Sequence, residues 1–155
     1  MDFKLTTSAF NNDAIIPQRY TCSGADVSPP FEWQGAPEAA KGFALICEDS
    51  DAPGGTFHHW AIFDIPAGWQ QLAEGIPRAE TLAEGLRQAV NDFGKIGYGG
   101  PCPPKGHGTH HYHFQLLALD VANLGLAARV DCRQVASAVR AHILAAKEIV
   151  GIFSR

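Results

Sequence analysis

No cluster of lysine or arginine occurs anywhere in this chain of 155 residues, which sets 12 Lys+Arg against 16 Asp+Glu for a formal net charge of −4. A protein that grips a phosphate backbone carries a basic footprint, so no nucleic-acid partner is expected. Adsorption to an anionic membrane surface is disfavoured on the same ground. No apolar run approaches the ~20 residues of a transmembrane helix, so no integral membrane segment is expected. The N-terminus, Met-Asp-Phe-Lys-Leu-Thr-Thr, has no basic region followed by an apolar one. No signal peptide is therefore expected, and the cytoplasm is the expected compartment. Repeats, low-complexity tracts and linkers are missing too, which leaves a single domain over residues 1–155.

Close cysteine spacing is also lacking. Cys22, Cys47, Cys102 and Cys132 form no Cys-x-x-Cys pattern, and the three ways of pairing four cysteines stay open. In a reducing compartment they read as free, mostly buried thiols. Cys22 and Cys102 both lie in loop-like stretches and form the first pair to check for a disulfide. No serine or cysteine sits in a nucleophile elbow, which argues against an enzyme. Cys102 is the nucleophile nearest the polar residues described next.

Hydrophobic content is 46% with 18% charged residues, ordinary for a folded globular chain. Phe3-Lys-Leu-Thr-Thr, Phe43–Asp49, His59–Ile65 and His111–Asp120 have strand character, and Ile149–Phe153 reads as a short last strand. Asp131 with Gln134 three residues on marks a helix start, and the alanine-rich stretch extends it to Lys147. A weaker helical piece spans Ala79 to Gln88. From Gly94 to Gly108, six glycines and three prolines preclude regular structure and imply an ordered functional loop or a lid. The pattern predicts a mainly β fold, an antiparallel β-sandwich with one or two peripheral helices.

Polar chemistry gathers at two loop–strand junctions, Cys47–Trp60 and Gly100–Tyr112. Side chains alternate along a strand, so Phe43, Leu45, Cys47 and Asp49 share one face, as do His59, Ala61, Phe63 and Ile65. His110, Tyr112, Phe114, Leu116 and Ala118 share a third, with His111, His113 and Gln115 opposite. An antiparallel hairpin puts Asp49 and His59 at one end of a sheet. The third strand adds His110 and Tyr112 if it runs in the same sense as the second. Asp49 beside His59 would favour a protonated imidazole, and His59, His110, the Tyr112 hydroxyl and glycine-loop N–H groups would donate to a small anion. Pro53 and Pro103 would stiffen the rim. Taken singly, Asp49 is as readily a turn cap and His59 a satisfied core histidine. His58, His111 and His113 are expected to face outward or pack, His142 to pack on the helix, and the tryptophans to belong to core or rim. Adjacent histidines point to opposite faces, so no metal or cofactor is expected.

These motifs resemble the phosphatidylethanolamine-binding protein family, in its bacterial branch likened to Raf kinase inhibitor protein. The resemblance rests on Asp49-Ser-Asp-Ala-Pro53 with His58-His-Trp60, and on Gly100-Pro-Cys-Pro-Pro-Lys-Gly106 with His110-His-Tyr112. Tyr20–Pro30 and Asn91–Tyr98 extend it, so that it runs from Phe3 to Phe153. Ser50 stands where the family has proline. The resemblance implies a non-enzymatic binding protein with a small anion pocket formed by Asp49, Asp51, Pro53, His59, Pro103, His110 and Tyr112. It implies a phosphate-bearing or phospholipid-headgroup-like ligand, a kinase or protease as protein partner, and a homodimer. A surface-mediated kinase or protease inhibitor with a vestigial pocket, or a hydrolase using Asp49, His59 and Tyr112, are the alternatives.

Overall fold

A computed structural model describes residues 2–155. The strands are β1 (Lys4–Thr6), β2 (Phe31–Gln34), β3 (Gly42–Asp49), β4 (Phe57–Pro66), β5 (Gln71–Leu72), β6 (Arg87–Gln88), β7 (His110–Leu119) and β8 (Ile143–Phe153), with one helix, α1 (Cys132–Val139). They form two antiparallel sheets, β1-β2-β5 and β6-β4-β3-β7-β8. The expected mainly β sandwich is what the chain adopts.

The core has two layers. Between the sheets, Phe31, Trp33 and Leu72 meet Phe43, Leu45, Trp60 and Phe114. On the other side of the large sheet, Ala44, Ile46, Phe63 and Leu117 pack under Val135 and Val139 of α1. Central strands covered on both faces cannot alternate apolar with polar, which is why Phe43–Cys47 and Trp60–Phe63 are unbroken apolar runs. Each fully buried valine of α1 contributes about 1.5–3 kcal/mol over an exposed one.

α1 begins as expected, with a reciprocal cap: Gln134 N–H donates to Asp131 Oδ1 at 2.8 Å and Asp131 N–H to Gln134 Oε1 at 2.9 Å. It stops at Val139, eight residues short of the expected end. Ile143–Lys147 instead extends β8, which pairs with β7 from His110↔Phe153 to Leu119↔Ile143. A ladder of that length outweighs the helix propensity of Ala-Ala-Lys-Glu. The helical piece expected at Ala79–Gln88 is a 3₁₀ turn at Ala83–Gly85 followed by β6.

Strict alternation fails along β4, because two bulges interrupt its pairing with β3. Asp64, at φ 56°, takes up one of them, so Phe63 faces α1 while Ile65 faces the small sheet. His59 is the extra residue of the other, between Trp60, opposite Cys47, and His58, opposite Glu48. His59, Ala61, Phe63 and Ile65 therefore do not share one face.

Cys22 and Cys102, 80 residues apart, are joined by a disulfide, against the expectation of free thiols; Cys47 and Cys132 are free and buried. Among the described residues no helix is long and apolar enough to cross a membrane.

Candidate functional site

β7 lies antiparallel to β3, as β4 does, so β4 and β7 run in the same sense and begin where β3 ends. Asp49 is opposite Phe57 on one side and Tyr112 on the other. At this end of the sandwich a cavity of about 190 Å³ is lined by Asp49, Pro53, His59, Pro103, His110 and Tyr112, with Ala52, Phe57, Phe93, Cys102 and Pro104. That volume admits a phosphate-sized group together with several waters. Larger hollows occur elsewhere on the surface, but this one brings together the buried side chains of Asp49, His59, His110 and Tyr112.

Asp51 does not line the cavity. Its carboxylate turns outward and accepts from His111, through the backbone N–H at 2.8 Å and Nδ1 at 2.7 Å. Its own N–H donates to Asp49 Oδ1 at 2.8 Å, so Asp51 orients the acid that does line the site.

Asp49 pairs with His110 rather than with His59. His110 Nδ1 donates to Asp49 Oδ2 at 2.6 Å, both side chains being almost fully buried. The other nitrogen of His110, Nε2, lies 2.6 Å from Nδ1 of His107, so neither ring nitrogen is free. His59 Nδ1 donates to the Gly99 carbonyl at 2.7 Å. Burial holds the pKa of His59 down, outweighing the carbonyls and carboxylates around it. The ring is therefore neutral, with its proton on Nδ1 and a lone pair on Nε2. The expected imidazolium donor is replaced by an acceptor.

Tyr112 completes the set. It is wholly buried and its hydroxyl has no hydrogen-bond partner. Burial first, and then the charge of Asp49, drive its pKa far above that of a free phenol, so it stays protonated. A buried donor left unpaired costs about 1–3 kcal/mol, which an incoming acceptor would recover.

The glycine loop supplies shape rather than donors. Gly99 N–H is bonded to His59 O, Gly100 N–H to Asp26 Oδ1 and Gly106 N–H to Arg155 O, leaving none of these three for an anion. A Cβ on Gly100 would lie 2.2 Å from the Tyr20 carbonyl oxygen, so only glycine permits this approach. The disulfide ties Cys102, a wall residue, to the segment after Tyr20 and removes it as a thiol nucleophile.

Sequence reasoning missed the aromatic wall and His107. Phe57, His59 and Phe93 contact one another with ring centroids 4.7–5.4 Å apart. Phe93 is aimed there by Asn91, whose Oδ1 accepts the Phe93 N–H at 2.9 Å while Nδ2 donates to Gly97 O at 2.8 Å. An Asn-Asp-Phe-Gly turn carrying an exposed phenylalanine was the available signal. Away from the cavity, His113 pairs with Glu148, and His142 pairs with Asp120 beyond the end of α1 rather than packing on it. His58 is buried between Glu48 and Asp92. Trp33 and Trp60 are core residues, and Trp69 is a partly buried one packed against it.

Comparison with known proteins now decides the family. The family model for phosphatidylethanolamine-binding protein matches residues 6–154. The chain belongs to that family. A UPF0098 protein of Aquifex aeolicus is 45% identical over 147 residues, 95% of this chain and 85% of that protein. The crystal structure of E. coli YBCL, described as a member of the mammalian PEBP family, superposes with a TM-score of 0.94 at 31% identity, covering 100% of this chain and 99% of that one. A homologue of the same family from Chlamydia trachomatis gives a TM-score of 0.86 at 34% identity, covering 99% and 97%.

Proposed function

We propose that this family member is a non-enzymatic binding protein whose cavity takes one small acidic group, as on a phosphate ester or a phospholipid headgroup. The observation that carries this reading is the Tyr112 hydroxyl, buried, protonated and without an acceptor. Across the cavity, His59 offers the opposite polarity through Nε2. A singly protonated phosphate matches both, accepting from Tyr112 and donating to His59. Catalysis is not part of the proposal: Cys102 is oxidised, Asp49 is engaged by His110, and no activated nucleophile lines the cavity.

The experiment is calorimetric titration of inorganic phosphate and of phosphorylethanolamine into the native protein, His59→Ala and Tyr112→Phe. Saturable heat lost in both variants supports the pocket. Equal heat in all three, with the variants folded, overturns it. Modulation of a kinase or protease partner, and the homodimer, belong to the same proposal through the family resemblance. Co-purification and sedimentation are their tests.

For the compartment, we infer an oxidising one in place of the cytoplasm, because a disulfide joining two loops persists where thiols are not kept reduced. Trapping thiols directly in the source cell would test this. Four free thiols on denaturation after trapping would restore the cytoplasmic reading.

A further inference from the structure

His107 stands at the solvent end of a hydrogen-bonded chain that begins at the buried carboxylate of Asp49. The loop is shaped to put it there. Gly106 and Gly108, at φ 76° and 95°, flank it, although a Cβ at either would meet nothing within 4 Å. Backbone conformation, not space, calls for glycine on both sides of His107. The turn is held by His107 N–H to Pro104 O at 3.1 Å and by Arg155 Nε to Pro103 O at 2.7 Å. The result folds an otherwise exposed ring back onto buried His110, with centroids 4.8 Å apart and Nδ1 2.6 Å from His110 Nε2.

The three groups have a definite proton inventory. His110 Nδ1–H is committed to Asp49. With both rings neutral, His107 Nδ1–H must donate to His110 Nε2, and the trio carries the single negative charge of Asp49. His107 Nε2 has no hydrogen-bond partner among the described residues. A proton taken up there from solvent lets the Nδ1 proton cross to His110 Nε2. His107 is then neutral again, protonated on Nε2, and His110 is an imidazolium between Asp49 and His107. One proton enters, one crosses, and neither ring turns.

The cavity has a use for that charge. His59 is neutral and Tyr112 holds its proton, so an arriving anion otherwise meets only the uncompensated charge of Asp49. Two like charges in a partly buried setting repel, so the anion gains from a compensating proton. We propose that His107 is a positioning residue of the pocket that delivers a solvent proton to His110, so that an anion binds together with that proton. The ligand half of this inference rests on the anion reading above; the relay itself does not. Other charges beside the site are Arg155 on the loop side and the Asp51–His111 pair beside Asp49; all are kept constant in the test.

The test compares the native protein with His107→Gln, which removes the titrating ring at an exposed position. Imidazole ¹⁵N resonances are first followed against pH without ligand. The relay requires that His107 and His110 titrate in two shared steps in the native protein, and that His110 titrates in a single step in the variant. An identical His110 titration in both proteins overturns it. Sulfate, which carries no proton near neutral pH, is then titrated calorimetrically in two buffers of different ionisation enthalpy. About one proton taken up per sulfate by the native protein is expected, with little uptake and about tenfold weaker binding in the variant. Equal uptake in both overturns the coupling. Shared titration with no binding of either sulfate or inorganic phosphate would sink the anion reading and leave the relay standing. Binding without shared titration would do the reverse.

Discussion

Tyr112 and Asp49 face each other across the β3–β7 ladder, and the carboxylate helps keep the phenol protonated while leaving its hydroxyl without a bond. Asp49 is already occupied by His110 and by the Asp51 N–H, so it does not satisfy Tyr112. On the proposed reading the site separates stability from binding, because the hydroxyl offered to the ligand contributes nothing polar to the fold itself.

Tyr112→Phe should therefore unfold in urea at an unchanged free energy, or one up to about 1 kcal/mol higher, since it deletes an unsatisfied buried group. Its affinity for phosphate should fall about 10- to 100-fold, the range of a lost hydrogen bond to a charged group. A destabilised variant with native affinity would show that the hydroxyl is bonded in solution and irrelevant to ligand.

Asp49→Ala should cost about 1–3 kcal/mol in urea unfolding, because it strands a buried His110 donor. Asp49→Asn keeps an acceptor for Nδ1 and should cost clearly less. Equal losses would mean that the charge, not the hydrogen bond, holds His110.

Buried His58 lies 3.2 Å from Glu48 Oε2 and 3.4 Å from Asp92 Oδ2; the Asp92 approach is an ion-pair distance without hydrogen-bond geometry. Its hydrogen bond with Glu48 raises the pKa of His58 and lowers that of Glu48. A raised histidine contributes fully below its unfolded pKa of 6.5 and loses that contribution as pH climbs through the folded value. A lowered glutamate contributes above 4.5 and loses it as pH falls through the folded value. The difference in urea midpoint between native protein and His58→Gln should thus be largest between those two values and shrink towards pH 9. A difference that grows with alkaline pH would contradict the pairing.

The disulfide closes a span of 80 residues. Cys22→Ser with Cys102→Ser should lower stability by about 4 kcal/mol on chain-entropy grounds. Denatured, unreduced protein should expose only the thiols of Cys47 and Cys132 to a labelling reagent. Labelling of all four cysteines without reductant would refute the bond.

Much of this molecule was legible in its residue order. Apolar runs at Phe43–Cys47 and Trp60–Phe63, the Asp131–Gln134 cap and the two polar junctions depend on local periodicity and on side-chain chemistry. Both act within a few residues and survive without knowledge of the fold. Six of the seven residues that the resemblance implies for the pocket lie on one cavity; the hairpin brings Asp49 and His59 there, whereas His110 and Tyr112 join them because β7 runs in the same sense as β4, which periodicity does not supply. The family motifs brought the seventh, Asp51, along with its neighbours, although its carboxylate faces away from the cavity.

Contacts distant in sequence decided the rest. Ile143–Lys147 became a strand because β7 was there to pair with it, which no local propensity records. The bulges at His59 and Asp64 are faults in the match between β4 and β3, and belong to neither strand alone. Which histidine Asp49 would take, and whether His59 would carry a charge, depended on the Gly99 carbonyl arriving from 40 residues away and on the depth of burial around the ring. Hydrogen-bond partners and desolvation are properties of the packed interior. The sequence by itself determined which polar groups stand near the strand ends; only the tertiary structure brought β7 alongside β3 in the sense that gathers them, and decided which of them donate, which accept, and which waits unpaired.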